Sequence, residues 1–281
     1  MESEMEIKDM KKLVKPVCSM VLIILTLTSI SAGLRISGAV FEADIKPGGH
    51  VTHEIDLYNT SLPANFTVEI NGLSQPVNGG TIASKPDQDS SSYSARSFLS
   101  VYPSQFHLEP GATQVIKVEG NIPNDVGSGG RYAIISIRSN PVGKMAAGQS
   151  VVGFSLGLDV PVIFTISGTD LVKKGEITNI TVEEPVSGEQ QNVSLLFRNT
   201  GNYHYSGFAK AELTDTNGTL LSNATTPVTI SSLFPTFSRL FRLSLVPSSR
   251  LKPGTYQINA TVNLEDGTTL ATKKTSFKIK S

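Results

Sequence analysis

From residue 34 onward the chain alternates apolar and polar residues. Val51, His53, Ile55 and Leu57 stand between Thr52, Glu54 and Asp56, and Val193, Leu195 and Phe197 do the same ahead of Asn199. Leu240, Phe241, Leu243 and Leu245 form another such run, and Ile258, Ala260, Val262 and Leu264 a further one. A period of two predicts strands with one face buried, and no long stretch carries apolar residues at helical spacing. Asn217-Gly218 and Asp266-Gly267 fall between such runs and predict hairpin turns. Many short strands punctuated by glycine and proline predict an all-β protein built as a sandwich or barrel.

An internal repeat sets the number of units. Pro123 precedes Tyr132 by nine residues and Pro247 precedes Tyr256 by nine, so both pairs lie at an offset of 124. The strands before them, Val115 to Val118 and Arg239 to Arg242, keep that offset. Upstream, Ile55-Asp56-Leu57-Tyr58-Asn59-Thr60 matches Leu195-Leu196-Phe197-Arg198-Asn199-Thr200 at an offset of 140. The difference of sixteen falls in Ser74 to Ser97, a Ser/Pro/Gly/Asp-rich stretch that reads as a loop inserted into the first copy, mobile and dispensable. A tyrosine opening a late strand after a Pro/Gly turn suits the tyrosine corner of an immunoglobulin-like sandwich, so Tyr132 and Tyr256 are assigned that structural role. The resulting division is a leader at 1–33, a first sandwich at 34–168 with its insertion at 74–97, a linker at 169–174 and a second sandwich at 175–281.

The leader changes where the chain is expected to work. Lys8, Lys11, Lys12 and Lys15 precede an uncharged run from Val17 to Ile30, and Ser31, Ala32 and Gly33 follow. That order predicts a signal peptide cleaved near Ala32 or Gly33, with an uncleaved N-terminal membrane anchor as the alternative. No second apolar run follows. The only cysteine, Cys18, lies inside this run, so the exported part folds without disulfides. Seven Asn-x-Ser/Thr triplets, at Asn59, Asn65, Asn179, Asn192, Asn217, Asn223 and Asn259, are candidate glycosylation acceptors in an exported chain.

Of the 281 residues 39% are hydrophobic and 17% charged, enough apolar material for two cores. Lys plus Arg equals Asp plus Glu at 24 each, so no net field attracts phosphate, and nucleic acid is excluded as a partner class. The catalytic and metal motifs are weak. Gly153-Phe154-Ser155-Leu156-Gly157 has the spelling of a nucleophile elbow, but β sequence rather than a helix follows it. His50 and His53 lack a third ligand, Asp215-x-Asn217-Gly218 lacks the spacing of a calcium loop, and Asp87 and Asp89 read as a solvated loop. Tyr203, Tyr205, Phe234 and Phe237, with His204 among them, are candidate polysaccharide-stacking residues, although loop packing explains them as well. No catalytic residue, cofactor or metal set is therefore assigned.

The string Val101-Tyr102-Pro103-Ser104-Gln105-Phe106-His107-Leu108-Glu109-Pro110-Gly111-Ala112-Thr113, then Ile122-Pro123-Asn124-Asp125, Gly130-Arg131-Tyr132 and Gly157-Leu158-Asp159-Val160-Pro161-Val162, resembles the first domain of WxL-interacting envelope proteins. More distantly it is similar to the N-terminal domain of PapD-like pilus chaperones. The resemblance implies two immunoglobulin-like domains and a protein partner at the cell envelope. It departs from the first family in having no C-terminal apolar segment. It departs from the second at the cleft: Arg35 matches the early basic residue, but the late strand carries Asp159 and no lysine.

The expected protein is a non-enzymatic, exported binding or assembly module at the cell surface or envelope. Its partner is another envelope protein or a surface glycan, and its membrane attachment, if any, runs through the N-terminal segment. The alternative is a chaperone of surface subunits that acts by strand pairing. The apolar run from Val151 to Ile166 separates the two readings: it is either a central strand or an edge meant to pair.

Overall fold

A computed structural model describes residues 33–60, 62–141, 155–183, 185 and 190–280. The leader lies outside them. In chain order the strands of the first half are β1 (Leu34–Ser37), β2 (Phe41–Ile45), β3 (His50–Asn59), β4 (Ala64–Ser74), β5 (Ile82–Ser84), β6 (Leu99–Tyr102), β7 (Gln105–Leu108), β8 (Thr113–Asn121), β9 (Gly130–Pro141) and β10 (Gly157–Ile166). The second half adds β11 (Gly175–Glu183), β12 (Gln191–Asn199), β13 (Gly207–Thr214), β14 (Leu220–Thr225), β15 (Ser238–Leu245), β16 (Gly254–Leu264) and β17 (Thr269–Ile279).

These strands form two immunoglobulin-like sandwiches. In the first, a sheet ordered β1-β3-β8-β6 faces a sheet ordered β2-β10-β9-β4-β5, with β7 also paired to β4. In the second, β11-β12-β15 faces β14-β13-β16-β17. The alternation becomes burial. Ile55 and Leu57 on β3 and Val193, Leu195 and Phe197 on β12 point inward, while Glu54, Asp56, Asn192 and Arg198 point out. Phe66, Phe164, Ile116 and Ile137 fill the first core, and Leu213, Ile258, Val262 and Leu243 line the second. Each such side chain contributes about 1.5–3 kcal/mol by burial, which supports both domains in the absence of any disulfide.

The repeat extends to polar side chains. Asn59 ends β3 fully buried, with its amide nitrogen donating to Leu62 O and Leu108 O; Asn199 ends β12 fully buried and donates to Tyr203 O and Leu233 O. The next residue repeats as well, since Thr60 N–H donates to Gly33 O and Thr200 N–H to Lys174 O. A buried amide with two carbonyl partners ties the end of a strand to the loop that returns across it. Both predicted hairpins form, and in each an aspartate caps the turn: Asp215 Oδ1 accepts from the Asn217 and Thr219 amides and Asp266 Oδ1 from the Thr268 amide.

The segment from Ser74 to Ser97 departs from expectation. It packs against the second sandwich rather than waving free. Gln75, 6% exposed, donates from Nε2 to Ser232 O and accepts the Phe234 amide at Oε1, and the Leu240 amide donates to Val77 O at 2.8 Å. That last bond lies on β15, an edge of its sheet, where the first sandwich places β6 beside the matching strand β8. The insertion thus covers part of an edge that the second copy leaves bare.

Candidate functional site

The edge of β10 is the first surface of interest. This strand pairs with β9 along Gly157 to Thr165, but with β2 only along Val162 to Ile166. Among the described residues no strand pairs with the outer side of its N-terminal half, Gly157 to Pro161. The direction of each main-chain group follows from the two ends: Leu156 O accepts the Ser139 amide and the Ile166 amide donates to Gly129 O, both toward β9, whereas the Ser167 amide donates to Ile45 O on the β2 side. Alternation then turns the N–H and C=O of Gly157 and Asp159 to the open side. Pro161, which has no N–H, stands where that group would point outward. Two exposed apolar side chains flank the opening, Leu156 at 41% and Val40 at 50%. Val40 precedes Phe41, the β2 residue that pairs with Val162. The run from Val151 to Ile166 is therefore central at one end and an edge at the other; Val151 to Phe154 lie outside the described residues.

Asp159 sits on the outer face of this edge. Its carboxylate accepts from Ser136 Oγ at 2.8 Å and pairs with Arg138 at 2.7 Å. A half-exposed pair of this kind adds at most about 1 kcal/mol. Arg35 lies on β1, in the opposite sheet.

The junction between the sandwiches gathers residues that sequence treated separately. Tyr132, 3% exposed, aims its hydroxyl at the other domain, where it accepts the His204 amide at 3.2 Å and meets His204 Nδ1 at 3.1 Å. It does not act as a tyrosine corner: its hydroxyl lies over Gly130, where a side chain would clash with it, and finds its partner 72 residues away across the junction. The Tyr256 hydroxyl instead donates to Lys252 O at 2.8 Å and accepts the Lys252 amide at 3.1 Å. Phe234 packs on both Tyr132 and His204, and Tyr203 stacks on His204 while its hydroxyl meets Thr165. Burial, with a smaller effect from Lys173, holds the imidazole well below its usual range, at about 4. Neutral Nδ1 can therefore accept a hydrogen bond from the Tyr132 hydroxyl. Burial also raises the Tyr132 hydroxyl above its ordinary value.

The glycine-rich turn before Tyr132 is the second half of this junction. The Gly130 amide donates to Asn202 O at 2.8 Å, and Asn202 Nδ2 donates to Ser128 Oγ and Asp170 O. A Cβ on Gly129 would lie 2.2 Å from Asn202 O, so only glycine admits this approach. Arg131 stays buried beneath the turn, donating to Gly127 O, Ser128 O and Gly130 O. Tyr205 belongs to the packing as well, buried and donating to Lys174 O. Of the four stacking candidates Tyr203, Tyr205 and Phe234 serve the junction or the core, and Phe237 remains beside a cleft under the insertion.

The other candidates separate on geometry. Asn59 is not open to glycosylation in the folded chain, because its amide is buried and occupied. Asn65, Asn179, Asn192, Asn217 and Asn223 are exposed, and Asn259 is half-buried. Ser155 donates to Ser139 O and is followed by β10, so no elbow forms. His50 bonds Asn121, and His53 donates to Gly38 O while stacking on Phe41. Among the described residues no group of three or more His, Cys, Asp or Glu is placed to hold a metal. No helix among them is long and apolar enough to cross a membrane.

No protein-family model matches the chain, and no curated protein matches it. Among solved structures it is similar to the chaperone–tip adhesin complex of CFA/I fimbriae (TM-score 0.42, 12% identity, 88% of this chain and 99% of that one). It is also similar to Salmonella enterica SafA pilin in complex with the SafB chaperone (0.40, 10%, 88% and 97%) and to the E. coli chaperone DraB (0.39, 13%, 89% and 98%). These neighbours are pilus chaperones of immunoglobulin-like fold, and likeness at this level says nothing about what this chain binds. The resemblance to WxL-interacting proteins has no counterpart among them.

Proposed function

We propose that this chain is a protein-binding module of the cell envelope that takes up an extended segment of a partner protein along the open half of β10, as a chaperone or assembly factor does by strand pairing. One observation carries the reading: Gly157 and Asp159 turn their main-chain groups to an edge that no described strand pairs with, beside exposed Leu156 and Val40. Four such groups, at about 1 kcal/mol each, give register and modest affinity. Apolar contact with Leu156 and Val40 adds the remainder. The edge spans five residues, roughly 17 Å, and β2 closes it at Pro161, so the partner segment is short. Nothing in this mechanism makes or breaks a covalent bond. The signal-like leader supports a partner outside the cytoplasm.

Two variants at one position test it. Asp159→Pro removes the outward N–H and the carboxylate but leaves the main-chain bonds to β9 intact; Asp159→Ala keeps the N–H and removes the carboxylate alone. In capture from an envelope extract, with folding checked by circular dichroism, Asp159→Ala retains the partner of the wild type and Asp159→Pro loses it. Equal capture by both variants contradicts strand addition.

A further inference from the structure

A second site lies away from β10 and does not depend on strand addition there. Between the insertion and the second sandwich is a cleft of about 330 Å³, open to solvent on one side. Ser74, Ser84 and Ser91 offer hydroxyls from the first sandwich, and Thr236 and Phe237 close it from the second. Asp89 also lines it, with a side chain only 3% exposed: Ser91 N–H and Ser94 Oγ–H donate to its carboxylate and Arg96 approaches at 3.6 Å, so the group is fixed in place. Among the described residues that line the cleft none is a lysine, arginine or histidine. Such a lining gives an anion no counter-charge, but matches a ligand rich in hydroxyls.

Thr236 points the same way. It is the one non-glycine residue at positive φ among those described, at 72°, a conformation that costs a β-branched side chain dearly. The repeat shows what the backbone prefers there. In the first copy Gly111, at φ 81°, donates its amide to Asn59 O; in the second, Thr236 donates to Asn199 O. A Cβ on Gly111 would meet nothing, so the glycine answers to conformation alone. Where one copy relaxes with glycine, the other retains a strained threonine on the wall of a polar cleft, next to an aromatic ring. Strain kept at such a place marks a functional site.

We infer that this cleft binds a neutral saccharide of one or two rings, with Thr236 and the serines bonding its hydroxyls, Asp89 holding the serine-rich wall in place and Phe237 packing on a ring face. The test is a titration of the isotope-labelled full chain with maltose, cellobiose, lactose and N,N′-diacetylchitobiose at millimolar concentration, followed by amide chemical shifts. At least one sugar is expected to shift the amides of residues 89–92 and 236–237. Thr236→Gly, which removes the hydroxyl and the strain together, is expected to raise Tm while weakening that sugar roughly tenfold. Phe237→Leu, which keeps the site apolar, is expected to weaken it as well. The inference is overturned if no sugar in the set shifts these amides, if Thr236→Gly binds as tightly as the wild type, or if glucuronate binds more tightly than the neutral sugars.

Discussion

At the scale of the residue, two tyrosines in matching sequence positions do different work. Tyr256 bonds a turn of its own domain, so Tyr256→Phe is expected to lower the stability of the second sandwich by about 1 kcal/mol in urea unfolding. Tyr132 bonds across the junction, so Tyr132→Phe is expected to uncouple the two unfolding transitions before it lowers either midpoint. His204 makes the junction sensitive to acid. Its imidazole is held at about 4 in the folded chain against an ordinary 6.5, so between those values the unfolded chain binds the extra proton. Stability from this group is complete above pH 6.5 and is lost as pH falls toward 4, by up to about 3 kcal/mol before solvent screening reduces it. Denaturant midpoints at pH 7 and pH 4.5 measure the loss, and His204→Gln should remove most of the difference.

At the scale of the element, the insertion and β10 decide what the two sandwiches present. Replacing residues 75–97 with a short turn is expected to cost more than about 2 kcal/mol, since buried Gln75, buried Asp89 and the Val77–Leu240 bond all go with it. A loss under about 1 kcal/mol would show the insertion to be passive. Its polar composition reads as a free loop because sequence reports propensity, while Ser232 and Phe234, which hold Gln75 to the second sandwich, lie more than 150 residues away. The strands were legible for the opposite reason: the period of two is local, and Ile55, Leu57, Leu195 and Phe197 are buried where it places them. Strand pairing is not local. The apolar run ending at Ile166 looks the same whether its edge is covered or bare, and only the short reach of β2 leaves the bare half at Gly157 to Pro161.

At the scale of the whole molecule, the repeat makes two domains from one plan and the departures from it carry the character of the protein. Buried Asn59 and Asn199 hold the same corner in each copy. The first copy adds an insertion that reaches the second, and the second puts Thr236 where the first has Gly111. Contacts that join the copies include Gln75 on residues 232–234, Val77 on Leu240, Tyr132 on His204, Thr165 on Tyr203, and the 127–130 turn on Asn202. The junction meets β10 at its C-terminal end, where Thr165 reaches Tyr203, and the open half from Gly157 to Pro161 lies at the other end of the strand.

Amide hydrogen exchange, read residue by residue in the free chain, decides whether the half of β10 that no described strand pairs with is an open edge. Alternation along β10 predicts slow exchange at Leu158 and Val160, whose amides bond β9, and fast exchange at Gly157 and Asp159, with protection of these two appearing when a partner is bound. Slow exchange at Gly157 and Asp159 in the free chain would rule out strand addition at β10, because the edge would then already be covered.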